Sequence, residues 1–378
     1  MCWKNTSERL TEHNMPSPLL CWLELDDPED RERYLAVWRK SEFRRPHDHP
    51  GFLEFLTPKY YRSAAVVFLT SDSGQILYPF HYLELQTHPA FTDCQAGIHL
   101  LSPFGYGGPL FEGPTQCRNA TETEFLKLFS EELKRRNAVS EFVREDLFRD
   151  RLVSRQLGEL IEQQKNVVVR LNRTPEVIWN EYKHKVRKNV NRAMKSNLRV
   201  VFDTSGEHLE EFVAVYHETM KRTNASSDFI IELERFQRLT DTLGGDGGLF
   251  FVHVMDGSRI VSTELLLASP TMLYSFLGGT VEDAFKLRPN DLLKHETILR
   301  GREHGFHFYV LGGGVQNGDG IFRYKESFDP EGIVGFFIRK IVHDPTAFAN
   351  LNEKRQVFEE SKHSQWKPKE HFFPPYLS

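Results

Sequence analysis

The sequence predicts an α/β (α+β) protein in which one unit of strands and helices is used twice. The chain has 378 residues, long for a single core when domains of roughly 100–200 residues are usual. Two pairs of β-rich runs joined by tight turns stand far apart in it, each followed by a third strand and a glycine bend. A helical pattern then follows each bend. Hydrophobic residues make up 39% and aromatic residues 12%, with 30 Phe, ample for globular cores.

In the first block Ala64–Thr70 is an apolar run, Ser71-Asp72-Ser73-Gly74 a turn and Gln75–Leu85 the return strand. Gly97–Leu101 is a third strand, ending in the bend Gly105-Tyr106-Gly107-Gly108-Pro109, and Thr121–Arg136 reads as a helix. In the second block Gly248–Met255 and Arg259–Ala268 flank Asp256-Gly257, a strong hairpin signal. Met272–Phe276 follows, then the bend Gly278-Gly279-Thr280, the helix Asn290–His304 and a buried strand within Phe306–Leu311.

Between the blocks Val167–Leu171 reads as a strand, and Thr174-Pro175-Glu176 supplies an N-cap with proline at the first helical position. Ile178, Tyr182, Val186, Val190 and Met194 then recur every four residues and mark one face of a single helix. A strand, Leu198–Phe202, and a helix, Glu207–Arg222, come next. The domains expected are 1–160, 161–345 and a polar tail over 346–378 laid on the body.

Composition excludes several classes. The net charge is −5, so contact with nucleic acid must come from a local patch. Cys2, Cys21, Cys94 and Cys117 are scattered with no CxxC pair and no clustered histidines, which argues against structural zinc and a disulfide framework. No HExxH is present and no GxGxxG opens a helix, so metal hydrolase and dehydrogenase readings lack support. No stretch approaches ~18 uninterrupted apolar residues, and the start lacks an apolar signal core. The expectation is a soluble cytoplasmic protein with no bound cofactor and no metal, and the sequons at Asn5, Asn119, Asn172 and Asn224 are read as coincidental.

Two stretches concentrate chemistry. From Glu181 to Arg199 there are seven Lys/Arg and a single acid, either a solvated helix face or a site for phosphates. Arg187, Lys188 and Arg192 are the candidates there, and Arg222 closes the next helix, where a cation also complements the helix dipole. The second stretch is Gly312-Gly313-Gly314 followed by Gly318 to Phe328. Consecutive glycines allow close approach of a ligand or backbone. Lys325 sits among Phe322, Tyr324 and Phe328, placed to meet a phosphate or developing oxyanion, or else to point to water from an edge strand. Backbone N–H groups of Gly312, Gly313 and Gly314 are alternative oxyanion donors. For a general base two carboxylates stand out: Glu264, inside an apolar strand where a charge must be paired, useful or solvent-facing, and Asp319 in the loop. A substrate phosphate or carboxylate could also take that role.

The chain resembles the Fem peptidyltransferases (FemA, FemB, FemX) and related proteins of the GNAT acyltransferase superfamily. The resemblance runs from about Tyr61 to Ile341. It rests on Ser102-Pro103-Phe104-Gly105-Tyr106-Gly107-Gly108-Pro109, Arg187-Lys188-Asn189-Val190-Asn191-Arg192-Ala193, Glu218–Arg222, Leu287-Arg288-Pro289-Asn290-Asp291-Leu292-Leu293 and Tyr324-Lys325-Glu326-Ser327-Phe328. It implies two tandem GNAT-like domains, each a mixed, mostly antiparallel sheet flanked by helices, with the second carrying most of the reaction centre. It implies transfer of an aminoacyl or acyl group to an amine of a phosphate-bearing acceptor. In the best-known members the donor is aminoacyl-tRNA and the acceptor a peptidoglycan precursor. Lys325 would meet donor phosphate or the oxyanion with Tyr324 beside it, and Arg187 and Arg222 would hold acceptor phosphates. Tyr106 and Asn290, each inside a shared motif, join them as substrate-binding candidates.

The chain departs from the family pattern in several places. It has no coiled-coil arm, it has Val310 where many relatives carry an acid before Leu-Gly-Gly, and it has Tyr324 in place of the more usual Phe. The Arg/Gln-x-x-Gly-x-Gly/Ala loop of ordinary coenzyme A-dependent GNAT enzymes is also missing, which places aminoacyl-tRNA ahead of acyl-CoA or carrier protein as donor. A lipid-linked acceptor would bring transient contact with a membrane surface. No nucleophile elbow is visible, so direct attack without an acyl-enzyme is the simpler mechanism. The competing class is a non-catalytic pair of domains that binds a phosphorylated ligand. Oligomeric state is left open.

Overall fold

The computed structural model describes residues 18–92, 97–153, 157–316, 318–364 and 366–378; the start of the chain with Cys2 and the Asn5 sequon, and Cys94, lie outside them. In chain order the elements begin with β1 (Leu19–Glu24), α1 (Pro28–Trp38), α2 (Pro50–Phe55), β2 (Arg62–Leu69), β3 (Gln75–Glu84), β4 (Ile98–Leu101) and β5 (Leu110–Glu112). Then come α3 (Arg118–Arg135), β6 (Ala138–Arg144), β7 (Glu159–Arg170), α4 (Pro175–Glu181), α5 (His184–Met194), β8 (Arg199–Asp203), α6 (Leu209–Arg222) and α7 (Leu233–Leu239). β9 (Leu249–Asp256), β10 (Arg259–Ala268), β11 (Met272–Thr280), α8 (Pro289–Glu303), β12 (Phe308–Gly312), α9 (Gly320–Glu326), β13 (Ile333–Val342) and α10 (Pro345–Ser361) complete the chain.

Two compact units emerge. The first comprises the chain up to Ser41, Leu56–Ile161 and Phe337–Ser378; the second comprises Glu42–Phe55 and Glu162–Phe336. This division differs from a simple cut near residue 160. Residues 42–55 join the second unit, and 346–378 are no tail. Asp344 caps α10 through the Ala347 N–H with Pro345 at the first position, and Leu351 and Tyr376 are buried with Leu83, Phe91 and Val139.

Within the first unit the strands run β1-β2-β3-β4-β6 with Ile338–Val342 of β13 on β6 and β5 on β3. All those pairs are antiparallel except β4 with β6. Its core is Val66, Phe68, Tyr78 and Phe80 from the hairpin against Phe125 and Phe129 of α3. Within the second unit the order is β7-β12-β11-β10-β9-β8, antiparallel except β11 with β12. Both units therefore contain a hairpin, a third antiparallel strand, a helix, and a strand parallel to the third.

Two local readings are corrected. The basic segment is two helices: Tyr182 and Lys183 are extended (ψ 137 and 145). Arg187 stabilises the break, since its Nη1 donates to the carbonyls of Asn180 at 2.9 Å and of Tyr182. Ile178, Tyr182, Val186 and Val190 are buried as expected, but Met194 is 52% exposed and Ala193 is buried in its place. Four residues turn a helix by about 400°, so a strict spacing of four drifts about 40° per step and carries Met194 off the face. Gly278 and Gly279, read as a bend, lie inside β11. A Cβ on Gly279 would stand 2.4 Å from Thr219 Oγ1 and 2.7 Å from the Val215 carbonyl, so glycine there lets α6 lie directly on the strand.

Candidate active site

A cleft of about 410 Å³ runs along Ser275–Thr280 of β11. It exists because β11 and β12 pair over Met272–Tyr274 and Phe308–Val310, after which β11 continues to Thr280 with no strand partner on that side among the described residues. Arg288, in the left-handed conformation (φ 62, ψ 41) immediately before Pro289, turns the chain so that the first turn of α8 presents Asn290 to the cleft. An arginine in that region costs roughly 1 kcal/mol.

The floor is a closed polar cluster. Glu264 and Lys294, each 5% exposed, form an ion pair. Lys294 Nζ also donates to Ser275 Oγ at 2.9 Å and Tyr309 Oη at 3.0 Å. Tyr309 Oη donates to Glu264 Oε2 at 2.7 Å, and Ser275 Oγ donates to Glu264 Oε1. All three ammonium hydrogens are thus used and the carboxylate has three partners. Burial, then the adjacent carboxylate, pushes the Tyr309 phenol well above its ordinary range. Glu264 is therefore paired rather than a free base.

The wall is α9. Lys325 Nζ donates to the Gly313 carbonyl at 2.6 Å. Burial, and secondarily the nearby Lys294 charge, lowers its pKa from 10.5 to about 8. Tyr324 Oη accepts from Asn290 Nδ2 at 3.0 Å, and burial raises that phenol well above its usual value. Asp319 is the N-cap of α9: its carboxylate accepts from the backbone N–H of Phe322 and Val315 at 2.7 Å each and of Gln316 at 3.0 Å. Those bonds hold its pKa below the ordinary value, so Asp319 supports the loop instead of serving as a base. Gly312, Gly313 and Gly314 are not among the cleft-lining residues. Gly313 acts through its carbonyl on Lys325, and a Cβ on Gly314 would stand 2.2 Å from Asp319 Oδ1.

At the other side Arg222 lines the cleft, with Nη2 donating to the Thr280 carbonyl at 3.1 Å and the guanidinium 4.7 Å over the Phe285 ring. The structure thus brings together Lys325, Tyr324, Glu264, Asn290 and Arg222. It sets Arg187, Lys188 and Arg192 in a different recess of about 650 Å³, with Trp179, His184 and Lys195. Tyr106 belongs to the first unit, where it is buried. The sequence reading missed Lys294, Ser275 and Tyr309. Lys294 had a signal, since it follows Asn290 by four residues and shares its helix face.

The GNAT acetyltransferase domain family matches residues 180–326, a range that contains every residue lining the cleft. No curated protein matches the sequence. Among solved structures, FemX superposes with a TM-score of 0.61 at 14% identity, covering 84% of this chain and 97% of FemX. A conserved protein of unknown function from Bacteroides thetaiotaomicron gives 0.54 at 12%, covering 85% and 100%. The C-terminal domain of a putative lysylphosphatidylglycerol synthetase from Agrobacterium fabrum gives 0.51 at 12%, covering 87% and 96%. Residues 180–326 of this chain are thus similar to the GNAT acetyltransferase domain, and the chain shares the fold of FemX.

Proposed function

We propose that the second unit is the reaction centre of a transferase that passes an aminoacyl or acyl group to an amine of a phosphate-bearing acceptor. A peptidoglycan precursor is the acceptor that the Fem resemblance supplies. The observation that carries the proposal is the convergence of Lys325, Tyr324, Asn290 and Arg222 on one cleft over the unpaired edge of β11. The acceptor amine attacks the donor carbonyl, a C–N bond forms, and the ester or thioester bond breaks. The amine proton leaves to the departing group or to a substrate phosphate, because Glu264 and Asp319 are both engaged. Lys325 as a cation meets the oxyanion, the type of contact worth roughly 3–4 kcal/mol. Arg222 meets phosphate.

Aminoacyl-tRNA is the donor we favour, with the basic recess on α5 following its phosphates. The GNAT acetyltransferase match favours acyl-CoA as the second reading. The test is donor discrimination: affinity and loss of the acyl group for aminoacylated tRNA, uncharged tRNA and acyl-CoA at two salt concentrations. A tRNA donor gives affinity that falls steeply with salt and favours the charged form; acyl-CoA gives a shallow slope. Lys325→Ala lowers turnover with little change in affinity. Weakened binding with no transfer by the parent protein would instead identify a non-catalytic phospholigand-binding pair.

A further inference from the structure

We propose that the first unit carries a carboxylate-binding site of its own, built on one face of its sheet from Arg144, His81 and Tyr61. Sheet register gathers the three. Ser63 of β2 stands opposite His81 of β3, His81 opposite Leu101 of β4, and Leu101 beside Phe142 of β6. Side chains alternate along a strand, so Arg144, two residues beyond Phe142, projects from that same face. Tyr61, just before β2, joins it: its ring packs edge-on against His99 of β4 at 6.4 Å, and Arg144 is the charge that acts on its phenol.

Arg144 has no acid. Among the described residues the buried arginines each hold a carboxylate: Arg45 with Asp48, Arg339 with Glu145 and Arg355 with Glu359. Arg144 forms no ion pair among them, and the adjacent Glu145 is taken by Arg339 and Arg149. Its Nη1 donates to the Ser102 carbonyl at a long 3.4 Å, and the guanidinium lies 5.2 Å from the Phe142 ring and 6.0 Å from that of Phe104. Burial lowers its pKa from 12.5 to about 10, the mark of a cation stripped of water without compensation.

Its unspent donors are within reach of solvent. Nε and Nη2 form the edge of a guanidinium that donates to two oxygens side by side, and neither is hydrogen-bonded among the described residues or sealed from solvent. The same holds for the Tyr61 hydroxyl and for Nε2 of His81, a residue only 1% exposed. His81 is neutral, its pKa lowered to about 3 by burial and then by Arg144. With Ser63 Oγ donating to Nδ1 at 3.0 Å, Nε2 keeps the ring N–H. The site thus offers donors from three side chains and one positive charge, the complement of a single carboxylate. A phosphate monoester brings nearly two negative charges at neutral pH, one more than Arg144 matches. Phe104, 43% exposed, gives the body of the ligand a surface to lie on. Ser102 and Phe104 belong to the Ser102–Pro109 motif, none of whose residues lines the transfer cleft, and this site does not rest on the transfer reaction.

The experiment is calorimetric titration of the full chain with benzoate and acetate, with benzamide and inorganic phosphate as controls. Benzoate binds more tightly than acetate or phosphate, and benzamide binds about tenfold more weakly than benzoate. Arg144→Lys, which keeps the charge and loses the two-pronged edge, weakens benzoate about tenfold, and Tyr61→Phe weakens it about fivefold. Thermal unfolding adds a second readout. Arg144→Met removes an uncompensated cation and raises the melting temperature of the free protein, whereas benzoate raises that of the parent and not that of the variant. No heat from benzoate up to millimolar concentration overturns the proposal. So does equal affinity for benzamide, tighter binding of phosphate than of benzoate, or binding that Arg144→Lys and Tyr61→Phe both leave within twofold.

Discussion

Glu264 and Lys294 form an ion pair sealed beneath the cleft, with Tyr309 and Ser275 each bonded to both partners. Such a cluster is costly to break on one side only. Lys294→Met leaves a buried carboxylate without its cation, and the expected loss of stability is about 3–5 kcal/mol. The double variant Glu264→Gln/Lys294→Met removes both charges and is expected to recover most of that loss. Urea unfolding of the three proteins measures this. A double variant no more stable than the single one would mean that packing, not charge compensation, holds the floor.

Lys325 gives a pH signature of the opposite kind. Its pKa is lowered from 10.5 to about 8 by burial, so between those values the unfolded chain holds more protons and stability rises with pH. Below about pH 8 the folded protein carries the full cost of a desolvated cation. Lys325→Met is therefore expected to be more stable than the parent by about 1–3 kcal/mol at pH 7, a figure discounted for solvent at the cleft mouth. The gain disappears by about pH 10.5. If the cation meets the oxyanion, turnover falls as pH rises through about 8, and Lys325→Arg, charged at every such pH, loses that falling limb.

How far the site was legible follows from which physical signals are local. Both hairpins were readable because β-rich apolar runs meet turn residues, and Thr174-Pro175 marked its helix start without help from tertiary structure. Glu264 stood out because a carboxylate in an apolar strand needs a partner, but the partner's identity depends on where α8 crosses the sheet. Lys294 looks like any surface lysine until that crossing is known. Asp319 could be a base or a cap from sequence alone; only the positions of the Phe322, Val315 and Gln316 N–H groups decide. The strand ending at Phe276 was cut short because two glycines signal a turn, whereas here they make room for α6.

Gly279→Ala tests that close approach. The new methyl group would meet Thr219 Oγ1, which can rotate, and the Val215 carbonyl at 2.7 Å, which cannot move without shifting α6. Overpacking of this kind costs about 1–3 kcal/mol. A Thr219→Ala background is expected to recover only part of the loss, because the backbone contact stays. Thermal unfolding of the two variants and the double checks this; full recovery would place the whole conflict on the hydroxyl.

Asp319→Ala removes the cap of α9 and the anchor for the Val315 and Gln316 N–H groups at once. The expected result is lower turnover with a folded protein, since Lys325 depends on the loop that offers the Gly313 carbonyl. Asp319→Asn keeps one acceptor oxygen and is expected to fall between the two. If Asp319 were the base, Asn would be as inactive as Ala, and the rate of single-turnover transfer by the two variants separates the cases.

The basic recess on α5 separates structural from ligand-directed cations. Arg187 is committed to the carbonyls that end α4, so Arg187→Ala is expected to lower thermal stability as well as binding. Lys188, Arg192 and Lys195 line the recess without an ion pair among the described residues. If they neutralise phosphates, each alanine variant leaves stability unchanged and reduces the slope of log K against log salt by about one. Titration of each variant with tRNA over a series of salt concentrations measures that slope. The weakening should be the same for charged and uncharged tRNA, because phosphate contacts read no acyl group. Slopes equal to the parent's would assign these three side chains to a solvated face, and phosphate recognition would then rest on Arg222 in the cleft.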